Sequence, residues 1–156
     1  MTDRDLLQSG FRYALSLTHN EHEAEDLVQD VWLKLYINSG EIKSKSLFFT
    51  SIRNLFIDRY RKKKLVVIEQ LEEIGETEIL TSEIDINDIE KCLAKLRPEE
   101  REALFLNSVE EYTAKEISEL TNQPRSTVLS LISRGKKKFI SAYNHLMNPK
   151  MRNHSS

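Results

Sequence analysis

A chain of 156 residues, 31% of them charged and 39% hydrophobic, is sized for one large domain or two small ones and can supply a core. Only 4 Gly and 3 Pro punctuate 20 Leu and 13 Ile, which argues for long helices and against a many-stranded sandwich or barrel. The net charge of −2 hides an uneven distribution: +5 over residues 53–64, −9 over 65–90 and +7 over 125–156.

The first helix is predicted from about Asp3 to Thr18, with Thr2 as N-cap and Leu7, Phe11, Ala14, Leu15 and Thr18 as its buried stripe. His19-Asn20 breaks it. A second helix is predicted from Glu21 to Tyr36, its acidic residues gathered at the N-terminal half and Ala24, Leu27, Val28, Val31, Trp32 and Leu35 forming the apolar stripe. Gly40 offers the left-handed residue that ends a helix. A third helix starts near Ser44 or Ser46 and runs to about Lys63. From Leu65 the periodicity dissolves. Val66-Val67-Ile68 could form a short strand, but residues 65–83 read better as an extended acidic linker between two domains.

The second half begins near Ile84 with a helix whose face is Ile86, Ile89, Leu93 and Leu96. Pro98 then opens another helix, with Glu99 and Glu100 behind it. Thr113 and Glu116 form a capping box for a short helix ending at Leu120. Thr121 to Pro124 is a turn, and the last helix runs from Arg125 or Ser126 past Phe139. The tail, residues 147–156, is expected to be disordered.

Catalysis finds little to stand on. The four histidines, His19, His22, His145 and His154, are scattered, and no phosphate loop or nucleophile elbow occurs. One cysteine, Cys92, excludes an internal disulfide and a cysteine-built zinc site, and beside Leu93 it reads as a buried structural thiol. No enzyme, cofactor or metal is expected. No apolar run is long enough for a membrane span, and the mixed-charge start Met1 to Asp5 leads into no signal-peptide core, so the expected place is the cytoplasm.

The two basic blocks, separated by a stretch with no Lys or Arg, look like two polyanion contacts joined by a strap that phosphate would repel. The capped helix, the four-residue turn and the basic last helix follow the helix-turn-helix plan. Ile117 and Leu120 would pack on Val128 and Ile132. That turns Arg125, Ser126 and Thr127 toward base edges and sets Arg134 and Lys136 to Lys138 nearer phosphate.

Three stretches carry a specific resemblance: Ala24 to Tyr36 (AEDLVQDVWLKLY), Phe49 to Lys63 (FTSIRNLFIDRYRKK), and Leu96 to Arg101 followed by Tyr112, Glu116-Ile117, Thr127-Val128 and Ser133-Arg134. In that order they resemble the small two-domain sigma factors of bacterial RNA polymerase, the extracytoplasmic-function (ECF) type. The resemblance implies an all-helical fold with a polymerase- and minus-ten-binding domain over 1–64, an acidic linker over 65–83 and a helix-turn-helix domain reading the minus-thirty-five element over 84–146. Core RNA polymerase would be met by Glu25, Asp26, Gln29, Asp30 and Leu33, which lie off the apolar stripe. Arg53, Asn54, Arg59, Arg61 and Lys62 would hold the minus-ten strand, and Arg125, Ser126, Thr127, Ser130, Arg134, Lys136 and Lys137 the minus-thirty-five duplex. Leu129 and Leu131 stand where the family usually has Lys and Arg; one could touch a thymine methyl, or both could pack inward.

Phe48 and Phe49 are expected in the core, with stacking on an unpaired base as the alternative. The polar loop 37–45 could pocket a flipped base. The free chain is expected to be closed, its acidic linker and N-terminal segment masking the basic faces. Partners implied are core polymerase and promoter DNA, with an anti-sigma factor as a further one, and the setting is a stress or environmental response. The rival readings are a helix-turn-helix regulator acting on an operator without polymerase, and a sigma-like decoy.

Overall fold

In the computed structural model the backbone is described for residues 2–70 and 85–147 and the side chains for 2–62 and 88–147. Among these residues the structure is all-helical: α1 Asp3–Thr18, α2 Glu21–Ser39, α3 Lys45–Gln70, α4 Asp85–Ala94, α5 Pro98–Ser108, α6 Ala114–Thr121 and α7 Arg125–Met147. Local signals explain most of the ends. Thr2 Oγ1 accepts the Asp5 N–H at 3.1 Å, and the Asp5 carboxylate accepts the Thr2 N–H in return. His19 closes α1 in the left-handed conformation (φ 53°), and Asn20 caps α2 by accepting the Glu23 N–H at 2.9 Å. Gly40 ends α2 at φ 77°, as the sequence predicts, although the helix runs to Ser39 rather than Tyr36.

Two expectations need correcting. Residues 65–70 are neither a strand nor extended but continue α3 to Gln70, so the run of apolar β-branched residues does not outweigh helix propagation from a well-formed N-terminal part. The buried stripe of α1 is also rotated by one position. Leu6, Gly10, Tyr13, Ala14 and Leu17 are buried, while Leu7, Phe11 and Leu15 are only partly so. The cause is that α1 packs on three helices, α2, α3 and α5, which together set the side it buries. The linker beyond Gln70, the expected side of Ile86 and the tail from residue 148 lie outside the described residues.

The core of the first half joins Ala24, Leu27, Val28 and Val31 of α2 to Phe48, Phe49 and Ile52 of α3. Both phenylalanines are fully buried, as expected. Burying each is worth about 1.5–3 kcal/mol. Trp32 is half-buried rather than central, stacked on Tyr36 and edge-on to Phe48. In the second half α7 packs on α4, α5 and α6, with Leu106, Ile117, Val128, Leu131 and Ile132 buried. On α4 it is Cys92 rather than Ile89 that is buried, and Ile89 is exposed. The two halves do not stand apart. Tyr13 of α1 stacks on Phe49 (centroids 4.5 Å apart, 13° between planes) and lies 6.2 Å from the Phe105 ring of α5, so one continuous core crosses between them.

Gly10 is where α1 admits the third helix. A Cβ there would lie 2.9 Å from Phe48 Cζ and closer still to Cε2, in a ring with no room to retreat. Alanine improves helix propensity by about 1 kcal/mol, but overpacking a tight core costs about 1–3 kcal/mol. Gly10→Ala is therefore expected to lower the unfolding free energy in a denaturant titration, whereas helix propensity alone would raise it.

Candidate nucleic-acid and polymerase interfaces

On α2, Glu25, Asp26, Gln29, Asp30 and Leu33 are all exposed on the side away from the buried stripe, and Leu33 keeps 58% of its surface in solvent. The acidic face is not bare. The Arg59 guanidinium of α3 lies across it, with Nη1 3.0 Å from Asp26 Oδ2 and Nη2 paired to Asp30. Arg59 was expected on DNA, and here it neutralises the α2 face instead. The pair is solvent-exposed, which limits its worth to about 1 kcal/mol or less and leaves it open to exchange.

The remaining α3 residues point in different directions. Asn54, Arg61 and Lys62 are exposed, Lys62 lying 3.4 Å from Asp58 one turn away. Asn54 borders a cleft of about 330 Å³ between α2 and α3, shared with Lys34, Asn38, Ser51 and Asp58. Asn38, one of residues 37–45, lines this cleft, and a Cβ at Gly40 would meet nothing within 4 Å. Arg53 is the exception. Its side chain is only 16% exposed, and Nε donates at 2.8 Å to Glu102 Oε2 of α5.

In the second half the helix-turn-helix forms as expected. Thr113 and Glu116 make the reciprocal cap of α6. Asn122 takes the left-handed conformation (φ 55°) that ends it, and Ser118 Oγ donates to the Gln123 carbonyl at 2.6 Å to tighten the turn. Ile117 packs with Val128 and Ile132, all buried, and Leu120 is partly buried beside them. This leaves Arg125, Ser126, Thr127, Ser130, Arg134 and Lys137 exposed along one side of α7. Lys136 is exposed as well. It lines a groove of about 740 Å³ between α1, α4, α5 and α7, together with Arg12, Phe139 and Ile140. Lys138 is turned inward to Glu100, 2.9 Å from its Oε1. The two unusual leucines separate: Leu131 is buried, while Leu129 is 49% exposed on the recognition side.

Sequence reasoning missed a cluster on α5. Glu100, Arg101 and Glu102 are consecutive, charged and all buried. Burial pushes the Glu100 carboxyl up, but the Arg97 N–H and the Lys138 ammonium more than offset it and the net shift is downward. Arg101 reaches the open end of α1, donating from Nε to Ser16 O at 2.8 Å and from Nη2 to Leu17 O at 3.3 Å. Its Nη1 donates to Leu93 O and Leu96 O near the end of α4. Glu102 accepts from both Arg53 and the Tyr13 hydroxyl. Burial first, and then the Glu102 charge, hold the Tyr13 pKa well above that of an ordinary phenol, so it stays a donor. A further ion pair joins Lys45 of α3 to Glu110. No periodicity could have flagged these contacts, because a run of three charged residues reads as solvated. Cys92 behaves as expected of a structural thiol: it is buried, with burial first and Asp88 second raising its pKa.

A match to Sigma-70 region 2 covers residues 4–66, and one to Sigma-70, region 4 covers residues 86–139. The chain is 30% identical over 139 residues to the ECF RNA polymerase sigma factor SigW of Bacillus subtilis, covering 76% of this chain and 74% of that protein. The chain belongs to the ECF sigma factor family. It is also 29% identical over 147 residues to SigM of the same organism, covering 88% of this chain and 90% of that one. Among solved structures it resembles the sigma factor RpoE in complex with the anti-sigma factor NepR from Bartonella quintana. The TM-score is 0.72 at 26% identity, over 89% of this chain and 92% of that one. In this sigma factor region 2 therefore spans α1, α2 and most of α3, and region 4 spans α4 to α7 as far as Phe139.

Two predictions arise from these placements. Leu131→Ala should destabilise by about 2–5 kcal/mol, as truncation of a buried leucine does, while Leu129→Ala should stay within about 0.5 kcal/mol; thermal melts of both variants decide. The second concerns His19, whose imidazole is held below its ordinary pKa by burial and then by the Arg101 charge, with Glu90 opposing. The unfolded chain takes up this proton first as the pH falls. Stability tied to neutral His19 is complete above about pH 6.5 and is lost on acidification from there down to the lower folded-state pKa. His19→Asn, which tolerates the left-handed backbone, should flatten that part of the Tm-versus-pH curve.

Proposed function

We propose that this sigma factor acts as a dissociable initiation subunit with its work divided along the chain. Residues 1–64 dock on core RNA polymerase and hold the minus-ten element, residues 65–83 serve as an acidic connector, and residues 84–146 read the minus-thirty-five element. The observation that carries the reading is the ordered pair of region 2 and region 4 matches on one chain. An operator-binding regulator has no need of region 2, and a decoy has no need of both basic blocks.

In this reading Glu25, Asp26, Gln29, Asp30 and Leu33 form the polymerase face, and docking displaces Arg59 from Asp26 and Asp30. The released Arg59 joins Arg53, Arg61 and Lys62 on the phosphates of the opened strand, while Asn54 meets a base edge beside its cleft. Arg125, Ser126, Thr127 and Ser130 face the major groove, with Leu129 available to a thymine methyl, and Arg134 and Lys137 hold phosphate. Lys136, exposed beside the groove between α1 and α7, belongs to the same phosphate-holding set. The chain promotes the chemistry of the polymerase and needs no catalytic group or cofactor of its own. It works in the cytoplasm with polymerase on the nucleoid, in a stress or environmental response. An anti-sigma factor is a further expected partner, as NepR is for the sigma factor in the structural relative.

The test is reconstitution. Added to core polymerase, the purified chain should direct initiation from a subset of fragments in a genomic promoter library, and core alone should not. Asp26→Arg should remain folded by circular dichroism yet lose core binding. A folded Asp26→Arg chain with unchanged polymerase affinity rules out the α2 face.

A further inference from the structure

Arg53 presents a conflict. It is a residue proposed for promoter phosphate, yet the structure leaves its side chain only 16% exposed and occupied by a carboxylate from the other half of the molecule. That carboxylate, Glu102, is 2% exposed and accepts from two region 2 groups at once, Arg53 Nε at 2.8 Å and the Tyr13 hydroxyl. Arg53, Arg61, Arg97, Glu99, Glu102 and Gln123 line one cleft, so the N-terminal end of α5 and the turn of the helix-turn-helix stand over the basic side of α3. An oxyanion held by a guanidinium is the chemistry of a phosphate contact. We propose that Glu102 is an internal competitor of promoter DNA, a phosphate mimic that latches region 4 onto region 2 by occupying Arg53.

The latch rests on the sigma-factor reading for the meaning of Arg53, but its physics is local. With α5 packed over it the Arg53 side chain is only 16% exposed, so a DNA strand gains it only as the halves part, and closure and strand binding compete. Any ligand that takes Arg53 draws the chain open, and anything that holds it closed weakens strand binding by the same factor. The carboxylate is also useful to the closed state alone. Once the halves separate, water solvates Glu102 and replaces both partners. Removing its charge should therefore weaken closure selectively, and a hydrogen bond to a charged group corresponds to roughly ten- to a hundredfold in that equilibrium. Buried, the pair is screened by salt far less than the exposed Arg59 contacts.

The test uses the full-length chain without polymerase and a fluorescein-labelled, random-sequence single-stranded DNA. Glu102→Gln keeps the shape of the side chain. It should expand the chain by small-angle scattering and tighten strand binding about tenfold or more. Tyr13→Phe keeps the ring stacked on Phe49 and should move both readouts in the same direction by a smaller amount; it carries the test if Glu102→Gln fails to fold. Adding Arg53→Gln to Glu102→Gln should abolish the gain in affinity while leaving the chain expanded. The proposal is overturned if folded Glu102→Gln and Tyr13→Phe chains bind the strand as the parent does, or if the gain survives loss of Arg53. Initiation by the parent chain with core polymerase is measured separately. Its failure would sink the sigma-factor reading, whereas an unchanged Glu102→Gln chain in a working initiation assay would sink only the latch.

Discussion

Three adjacent charged side chains buried on one helix impose the condition the rest of the fold must meet. A charge taken out of water without partners is prohibitively costly, so Glu100, Arg101 and Glu102 each have to find complementary groups. Their directions along α5 differ by the helical turn between neighbours, and so do their solutions. Glu100 is satisfied within the second half by the Arg97 N–H and Lys138. Arg101 turns to the carbonyls left open at the ends of α1 and α4, and Glu102 to Tyr13 and Arg53. In the closed chain two of the three find partners in the first half, and those contacts tie the two halves together.

Arg101 illustrates how helix ends make such an arrangement workable. The last turn of α1 contains no basic residue, so its terminal carbonyls would otherwise depend on water. A guanidinium offers five donors in a rigid fork, enough to serve two helix ends from one position, and its positive charge suits the negative end of both helices. Beside it, Gly135 brings α7 within 3.2 Å of the Glu100 carbonyl, measured from where a Cβ would sit, and so fixes the helix carrying the basic row against the helix carrying the buried charges.

The closed arrangement also sorts the charges expected to meet DNA and polymerase. Arg59 is held on the surface by Asp26 and Asp30, a contact that water and salt weaken readily. Arg53 is held inside, where the same type of pair is far harder to exchange. Masking of the basic faces is anticipated from the charge distribution, and among the described residues α2 and α5 supply acids for it, Asp26 and Asp30 on Arg59 and Glu102 on Arg53. The side chains of the acidic linker lie outside the described residues.

Much of the molecule could be read from the sequence because local physics controls it. The reciprocal caps at Thr2 and Thr113, the left-handed exit at Gly40, the proline start of α5 and the turn before Arg125 each depend on a few neighbouring atoms. Periodicity was enough to separate the apolar side of α2 and the packing of Ile117 on Val128 from the exposed rows, and the three ordered stretches identified the family. Tertiary structure alone decided which stripe of α1 is buried, that Leu131 turns inward while Leu129 does not, and that Arg53 and Lys138 leave the basic rows to which their positions assign them. Those outcomes depend on contacts between residues 38–89 positions apart, such as Lys138 with Glu100 and Tyr13 with Glu102. A helical period records which residues share a side, but not what that side meets, and a buried charge is stable only where a distant partner completes it.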